Sequence, residues 1–134
     1  MLDSYYLYHK ALSLQVVFLI SLFSLTFPIQ VSLAQNESSF VSIVPGSSSP
    51  FNGQFYVPNI VTVSADTSIT WTNQDTSSHT ITSGDFNIGP TGQFDSGLVN
   101  TGATFKHQFS IPGTYAYYCT IFPFMSGIVN VTSP

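Results

Sequence analysis

GTYAYYCTIFPFMSGIVNV, residues 113–131, is the stretch on which the reading of this chain turns. Its opening run, Thr114 to Cys119, puts Tyr115, Tyr117 and Cys119 on one face and Thr114, Ala116 and Tyr118 on the other. Alternation of this kind predicts a half-buried strand. Gly127 to Thr132 predicts a second short strand. Between them runs a loop in which Cys119, Phe122 and Met125 follow one another at three-residue intervals. A thiolate and a thioether are soft donors, of the kind that favour copper and Cu(I) in particular.

The same strand-and-turn pattern continues outward. Ala103, Phe105, Phe109 and Ile111 share one face of a predicted strand, and His107 falls on that face too. Ser68 to Asn73 places Ile69 and Trp71 on one side and Thr70 and Thr72 on the other. Ile60 to Ser64 and Phe40 to Val44 predict two further strands. Pro112-Gly113, Ser83-Gly84-Asp85 and Gly89-Pro90 supply turns. Ser77 to Gly97 shows no regular period and is predicted as loop. No stretch after residue 35 carries a helical period. Short strands rich in aromatic and β-branched residues predict an all-β sandwich with Greek-key connections.

The first part of the chain differs. Ala11 to Phe27 reads ALSLQVVFLISLFSLTF, preceded by Lys10, broken by Pro28 and followed by Ser32 and Ala34. Small residues at those two places fit a signal-peptidase site with cleavage after Ala34. The run falls short of the ~20 apolar residues of a typical spanning helix, yet a retained N-terminal anchor over residues 11–27 also fits. The expected division is therefore a signal segment or uncleaved anchor at 1–34 and one domain at 35–134. Both readings put that domain outside the cytoplasmic membrane, secreted or tethered, with membrane contact only if the segment is retained.

Within 35–134 the acids are Glu37, Asp66, Asp75, Asp85 and Asp95, and Lys106 is the only Lys or Arg. Phosphate binding needs Lys and Arg, so nucleic acid is excluded as a partner. A protein with a positive patch suits the mild negative field better. No pair among Asp75, Asp85 and Asp95 has a general acid/base arrangement, and these acids read as solvated loop residues or turn caps rather than as an enzyme's groups. Asn36-Glu37-Ser38 and Asn130-Val131-Thr132 match the short glycosylation sequon.

A lone cysteine in an exported chain forms no internal disulfide. Cys119 pairs between chains, stays a buried thiol or binds a metal. Met125 is either core filler or a metal ligand, its role following that of Cys119. His79 closes the polar loop NQDTSSH, residues 73–79, as a turn residue or a ligand. Loops distant in sequence meet at one end of a sandwich, which would bring His79 to the Cys119 loop. His107 reads as a hydrogen-bonded structural residue, with substitution as a ligand the lesser alternative. His9 lies in the leader.

Taken in order, these residues resemble the plastocyanin and pseudoazurin branch of the cupredoxins. Phe55-Tyr56-Val57-Pro58 precedes Ile60-Val61-Thr62-Val63; Trp71-Thr72-Asn73 leads to His79; Phe94-Asp95-Ser96-Gly97-Leu98 is followed by Gly102 and Phe105. Pro112-Gly113-Thr114-Tyr115 then runs through Tyr117-Tyr118-Cys119 to Pro123-Phe124-Met125-Ser126-Gly127. The resemblance covers residue 39 to the end. It implies one copper ion held by His79, Cys119, a second His three residues after the Cys, and an axial Met125. It also implies that Tyr118 is a surface tyrosine beside the Cys. The sequence departs at the second His, where Phe122 stands, and a phenyl ring has no lone pair to donate. Cu(II) favours the fuller nitrogen set more than Cu(I) does, so the expected site is biased toward Cu(I), with a raised reduction potential.

Three functions follow from these residues. One is electron transfer through a variant type 1 site, with a redox partner protein and a monomeric carrier. Another is an extracytoplasmic Cu(I) carrier or scavenger using the same residues. The last is a metal-free binding module presenting Ile121, Phe122 and Phe124. The leader makes its own prediction: the exported protein begins at Gln35, which intact mass or N-terminal sequencing will read, whereas a start at Met1 establishes the anchor.

Overall fold

Two stretches of alternating residues explain how the strands pair. The computed structural model describes residues 38–134; the leader at 1–34 and the sequon asparagine Asn36 lie outside them. Among the described residues the strands are β1 (Ser38–Ile43), β2 (Tyr56–Val57), β3 (Ile60–Ser64), β4 (Thr67–Asn73) and β5 (Thr82–Asp85). They continue with β6 (Gly89–Asp95), β7 (Thr104–Phe109), β8 (Gly113–Tyr118) and β9 (Ser126–Thr132). One sheet has the order β2-β1-β4-β7 and the other β3-β9-β8-β5-β6. Each is mixed: β1 runs parallel to β4 and β3 parallel to β9, while the remaining pairs are antiparallel. The all-β sandwich expected from the alternation is the observed fold.

The core lies where the apolar faces of the two sheets meet. Trp71 sits in β4 opposite Phe105 of β7, and the two rings lie 5.7 Å apart. Tyr117 of β8 meets Trp71 edge-on at a centroid separation of 5.5 Å, and Tyr56 meets Tyr117 in the same way at 4.9 Å. Edge-to-face contacts of this kind add roughly 0.5–1.5 kcal/mol beyond the area they bury. Ile43, Ile69, Ile81 and Val129 fill the remaining space with no exposure to solvent. Burial pushes the Tyr117 phenol up to about 12, so it stays protonated in this core.

Four details depart from the alternation. Ile111 is exposed because β7 ends at Phe109 and Ser110 to Pro112 lies outside any strand. Ser77 to Gly97, expected as loop, contains the β5–β6 hairpin. Its glycines and polar residues hide the strand period, and Gly84 takes a φ of +125° with its α-carbon against the Gly89 carbonyl, which only glycine allows. Tyr118 is buried rather than presented at the surface. It lies in the central strand β8, flanked by Thr82 of β5 and Ser126 of β9. Asp75, expected in solvent, is buried as well.

His107 lies on β7, an edge strand, and its ring packs against Phe94 at 4.9 Å and Phe109 at 4.8 Å. It is a structural residue of the aromatic layer. Burial lowers its pKa below the ordinary 6.5, which means the fold favours neutral imidazole. The stabilisation is present above the unfolded-state value and is lost as pH falls through the lower folded value. Melting temperature is therefore expected to fall as pH drops below about 6.5, and His107→Phe to flatten that part of the curve.

Gly127 faces Tyr117 across the β8–β9 pair, and a methyl there would run into the buried phenol ring. Tyr117 is fully buried and has no room to give. Gly127→Ala should cost roughly 1–3 kcal/mol in urea unfolding; an unchanged midpoint would show that this packing is loose.

Candidate metal centre

The register places three strand ends side by side: Thr82 opens β5, Tyr118 closes β8 and Ser126 opens β9. Cys119 follows directly from β8, and the loop from it returns to β9 through Met125. Cys119 N donates to the Met125 carbonyl at 3.2 Å, and Met125 N donates to the Phe122 carbonyl at 2.9 Å. These bonds close the loop on itself. Pro123 within it lacks an N–H and leaves no donor unpaired there.

His79 arrives from the other side. It pairs with Val99 in an isolated antiparallel bridge, His79 N donating to Val99 O at 3.2 Å and Val99 N to His79 O at 2.8 Å. Asn73, at the end of β4, ties down the loop behind it. Its amide donates to the Ser77 and Val99 carbonyls at 2.8 and 2.9 Å, and its Oδ1 accepts from Asp75 N at 2.8 Å.

The outcome is a buried nitrogen–sulfur pair. His79 Nδ1 lies 3.8 Å from Cys119 Sγ, and both residues are fully buried. Met125, six residues on in the loop, is also fully buried and shares the core cluster that contains Cys119. The other ring nitrogen, Nε2, is 2.8 Å from Asp75 Oδ2. An ionised carboxylate only accepts, so Nε2 carries a proton, and in the neutral imidazole Nδ1 then keeps its lone pair on the side of the sulfur. Burial works to raise the Asp75 pKa, but the His79 hydrogen bond and the backbone N–H groups of Gly46, Thr76 and Ser48 outweigh it and bring it down to about 2.

The sulfur is also prepared. Thr80 N donates to Cys119 Sγ at 3.3 Å. Thr80 O in turn accepts from Tyr56 Oη at 2.6 Å. Burial, with smaller contributions from Cys119 and Tyr117, pushes the Tyr56 phenol well above its usual value and keeps that proton in place. Thr120 N and Thr82 Oγ1 both donate to Thr80 Oγ1, so the segment that leads from His79 into β5 is locked to the Cys119 loop.

Phe122 occupies the outer side. Its half-buried ring lies 5.1 Å from the His79 ring and 6.0 Å from Phe124, which packs on Phe55 at 5.1 Å. Ile121 and Phe124, on either side of it, are exposed. Of the sequence candidates, the structure thus brings His79 and Cys119 into contact, puts Met125 at the foot of the same loop and Phe122 over the imidazole. His107 stays in the aromatic layer. Sequence reasoning missed Asp75: in a loop, a spacing of four residues carries no rule that would pair it with His79.

This donor set suits a soft monovalent metal. A neutral imidazole nitrogen, a sulfur with an amide donor, and a thioether-bearing loop match copper better than they match Zn, which favours four His, Cys or carboxylate ligands, or Ca and Mg, which take oxygen. A sandwich of two mixed sheets with such a pole defines the cupredoxin class. The comparisons agree. A family profile described as copper binding proteins, plastocyanin/azurin family, matches residues 48–132, and the chain belongs to that family, whose cofactor is copper.

Among solved structures, a purple cupredoxin from Nitrosopumilus maritimus is 35% identical, with a TM-score of 0.67 over 70% of this chain and 99% of that one. Amicyanin-alpha from Methylorubrum extorquens is 35% identical over 80 residues, which is 58% of this chain; the match spans 64% of the length of that curated relative. A solved amicyanin variant in its Cu(I) form shares the fold at 21% identity and a TM-score of 0.56, over 71% of this chain and 82% of its own.

Proposed function

We propose that this protein is an exported single-electron carrier whose copper is held by His79, Cys119 and Met125, with Phe122 in the place of a second imidazole. The observation that carries this reading is the buried pair of His79 Nδ1 and Cys119 Sγ, 3.8 Å apart, with the imidazole proton drawn to the far nitrogen by Asp75. A histidine that only fills space has no need of a lone pair aimed at a buried sulfur. Copper bound there would supply one-electron exchange.

The chain's residues set the terms of that exchange. His79 and Cys119 sit on separate loops that hydrogen bonds hold in register, so little rearrangement accompanies a change of charge. The Thr80 amide partly neutralises the sulfur. Phe122 shields the imidazole edge from water and offers no donor, which favours Cu(I) over Cu(II) and raises the potential. Ile121 and Phe124 give the pole an apolar rim against which a redox partner protein can seat. The mild negative charge suits a partner with a positive patch. We assign residues 1–34 to export or anchoring and 35–134 to the domain, a carrier rather than an enzyme, working as a monomer outside the cytoplasmic membrane.

A second reading is a Cu(I) carrier without electron transfer. It is favoured by the complete burial of His79, Cys119 and Met125, with the Phe122 ring packed on His79, a soft-donor site that suits storage of the lower oxidation state.

Titration of the 35–134 domain with Cu(II) and then Cu(I), beside Phe122→His, separates these readings through visible absorption and melting temperature. Electron transfer predicts a strong thiolate-to-copper band in both proteins. Colour in the variant alone, with the parent stabilised only by Cu(I), selects the carrier. At a hundredfold excess over Kd that stabilisation is about 2.7 kcal/mol. A parent indifferent to both ions, beside a variant that turns blue, would mean a cupredoxin fold that has given up its metal.

A further inference from the structure

Asp75 is the one buried carboxylate among the described residues, and its surroundings are unusually complete. Oδ1 accepts from Gly46 N at 2.8 Å, Oδ2 accepts from Ser48 N at 3.1 Å and from His79 Nε2 at 2.8 Å, and Thr76 N donates to the same group. Burying a carboxylate is costly unless it is fully hydrogen-bonded, and a backbone carbonyl would orient the imidazole without that cost. A charge kept at this place calls for an account beyond loop tethering.

We infer that Asp75 is a positioning residue for the copper site: through Nε2 of His79 its carboxylate makes Nδ1 a stronger donor and so compensates for the imidazole absent at position 122. This rests on the copper reading given above. A carboxylate hydrogen-bonded to the far nitrogen of a ligating imidazole fixes the tautomer and the ring, and raises the basicity of the ligand. Its negative charge also stabilises the doubly charged ion more than the singly charged one, by Coulomb attraction in a buried setting. Phe122 pulls the site toward Cu(I), and Asp75 pulls it back toward a usable Cu(II). With one imidazole in the site, the whole of that correction passes through His79.

The Gly46–Ser48 turn is part of the device. Its two amides hold the carboxylate, and Gly46 has a φ of +84°, the left-handed conformation that glycine adopts without strain. The 44–52 loop is thereby linked to His79 through the carboxylate, which takes two backbone amides on one side and the imidazole on the other, and it sets where the charge sits relative to the imidazole.

The test is Asp75→Asn, made in the full 35–134 domain and again in the Phe122→His background. Asn keeps the shape and one acceptor but loses the charge. Cu(II) affinity should fall roughly 10–100-fold, the usual cost of removing such a partner, and Cu(I) affinity by less. Each tenfold difference between the two states raises the potential by about 59 mV. The rise should be smaller beside Phe122→His, where a second imidazole shares the donation; the coupling between the two changes is the signature of compensation.

A lowered melting temperature with an unchanged potential would make Asp75 a loop tie and overturn the inference, as would an equal rise in both backgrounds. Should the Asn variant fail to fold, ¹⁵N shifts of the His79 ring in the native Cu(I)-loaded protein decide: a proton on Nε2 with a bond to carboxylate supports the role, and a proton on Nδ1 ends it. A native protein that takes up neither Cu(I) nor Cu(II) defeats the copper reading itself, an outcome distinct from copper uptake with a potential indifferent to Asp75.

Discussion

The hydrogen bond between His79 Nε2 and Asp75 governs the chemistry of this pole. It decides which imidazole nitrogen carries the proton, and so which one faces Cys119. The same carboxylate joins elements that share no strand pairing, tying the 74–79 loop to the 44–52 loop through the Gly46 and Ser48 amides. A charged acceptor with several donors contributes more than a neutral bond, about 1.5–3 kcal/mol per contact. The polar network of Asn73, Asp75 and Val99 then holds the histidine loop in a single arrangement before any metal arrives.

The aromatic core serves the same end from beneath. Tyr56, Tyr117 and Trp71 form a chain of edge-on contacts that runs from the strand ends under Cys119 into the middle of the sandwich. Tyr56 has two tasks: its ring packs on Tyr117, and its hydroxyl holds the Thr80 carbonyl. Thr80 in turn donates its amide to the sulfur. A packing residue in the core and a donor at the metal pole are therefore parts of one rigid unit. This is how a sandwich turns close packing into fixed geometry at its end: the loops are short and the residues that anchor them are buried. The Trp71 Nε1 and Tyr117 Oη atoms make no hydrogen bond of good geometry within this core, but they lie close to each other, and the indole N–H offsets part of the effect of burial on the phenol.

Phe122 sits in this unit without closing it. The loop that bears it keeps its closing bonds through Cys119 N and Met125 N, neither of which involves a side chain at 122. The backbone of the loop therefore does not depend on which side chain stands there. That ring packs on His79 and Phe124 and makes the pole drier and more apolar.

Much of this was legible in the sequence, and the rest was not, for physical reasons. Side-chain identity and a two-residue period are local properties. They sufficed to mark β1, β3, β4, β7, β8 and β9, the two-sheet architecture, and the side chains of His79, Cys119 and Met125 that carry lone pairs beside Phe122, which carries none. The β5–β6 hairpin escaped because Gly84 and its polar neighbours carry no alternation, and its pairing rests on a backbone conformation instead. Burial is a property of what the neighbouring strands cover. Alternation could place Tyr118 opposite Cys119 but could not tell that β5 and β9 enclose it. The partnership of Asp75 with His79 belongs wholly to the tertiary structure. The residues stand in an irregular loop, where no period relates one side chain to another, and the carboxylate is brought to the imidazole by amides from a loop 27–29 residues away. The sequence by itself determined which atoms could bind a metal; the fold decided which of them face one another, because only packing converts distance along the chain into distance in space.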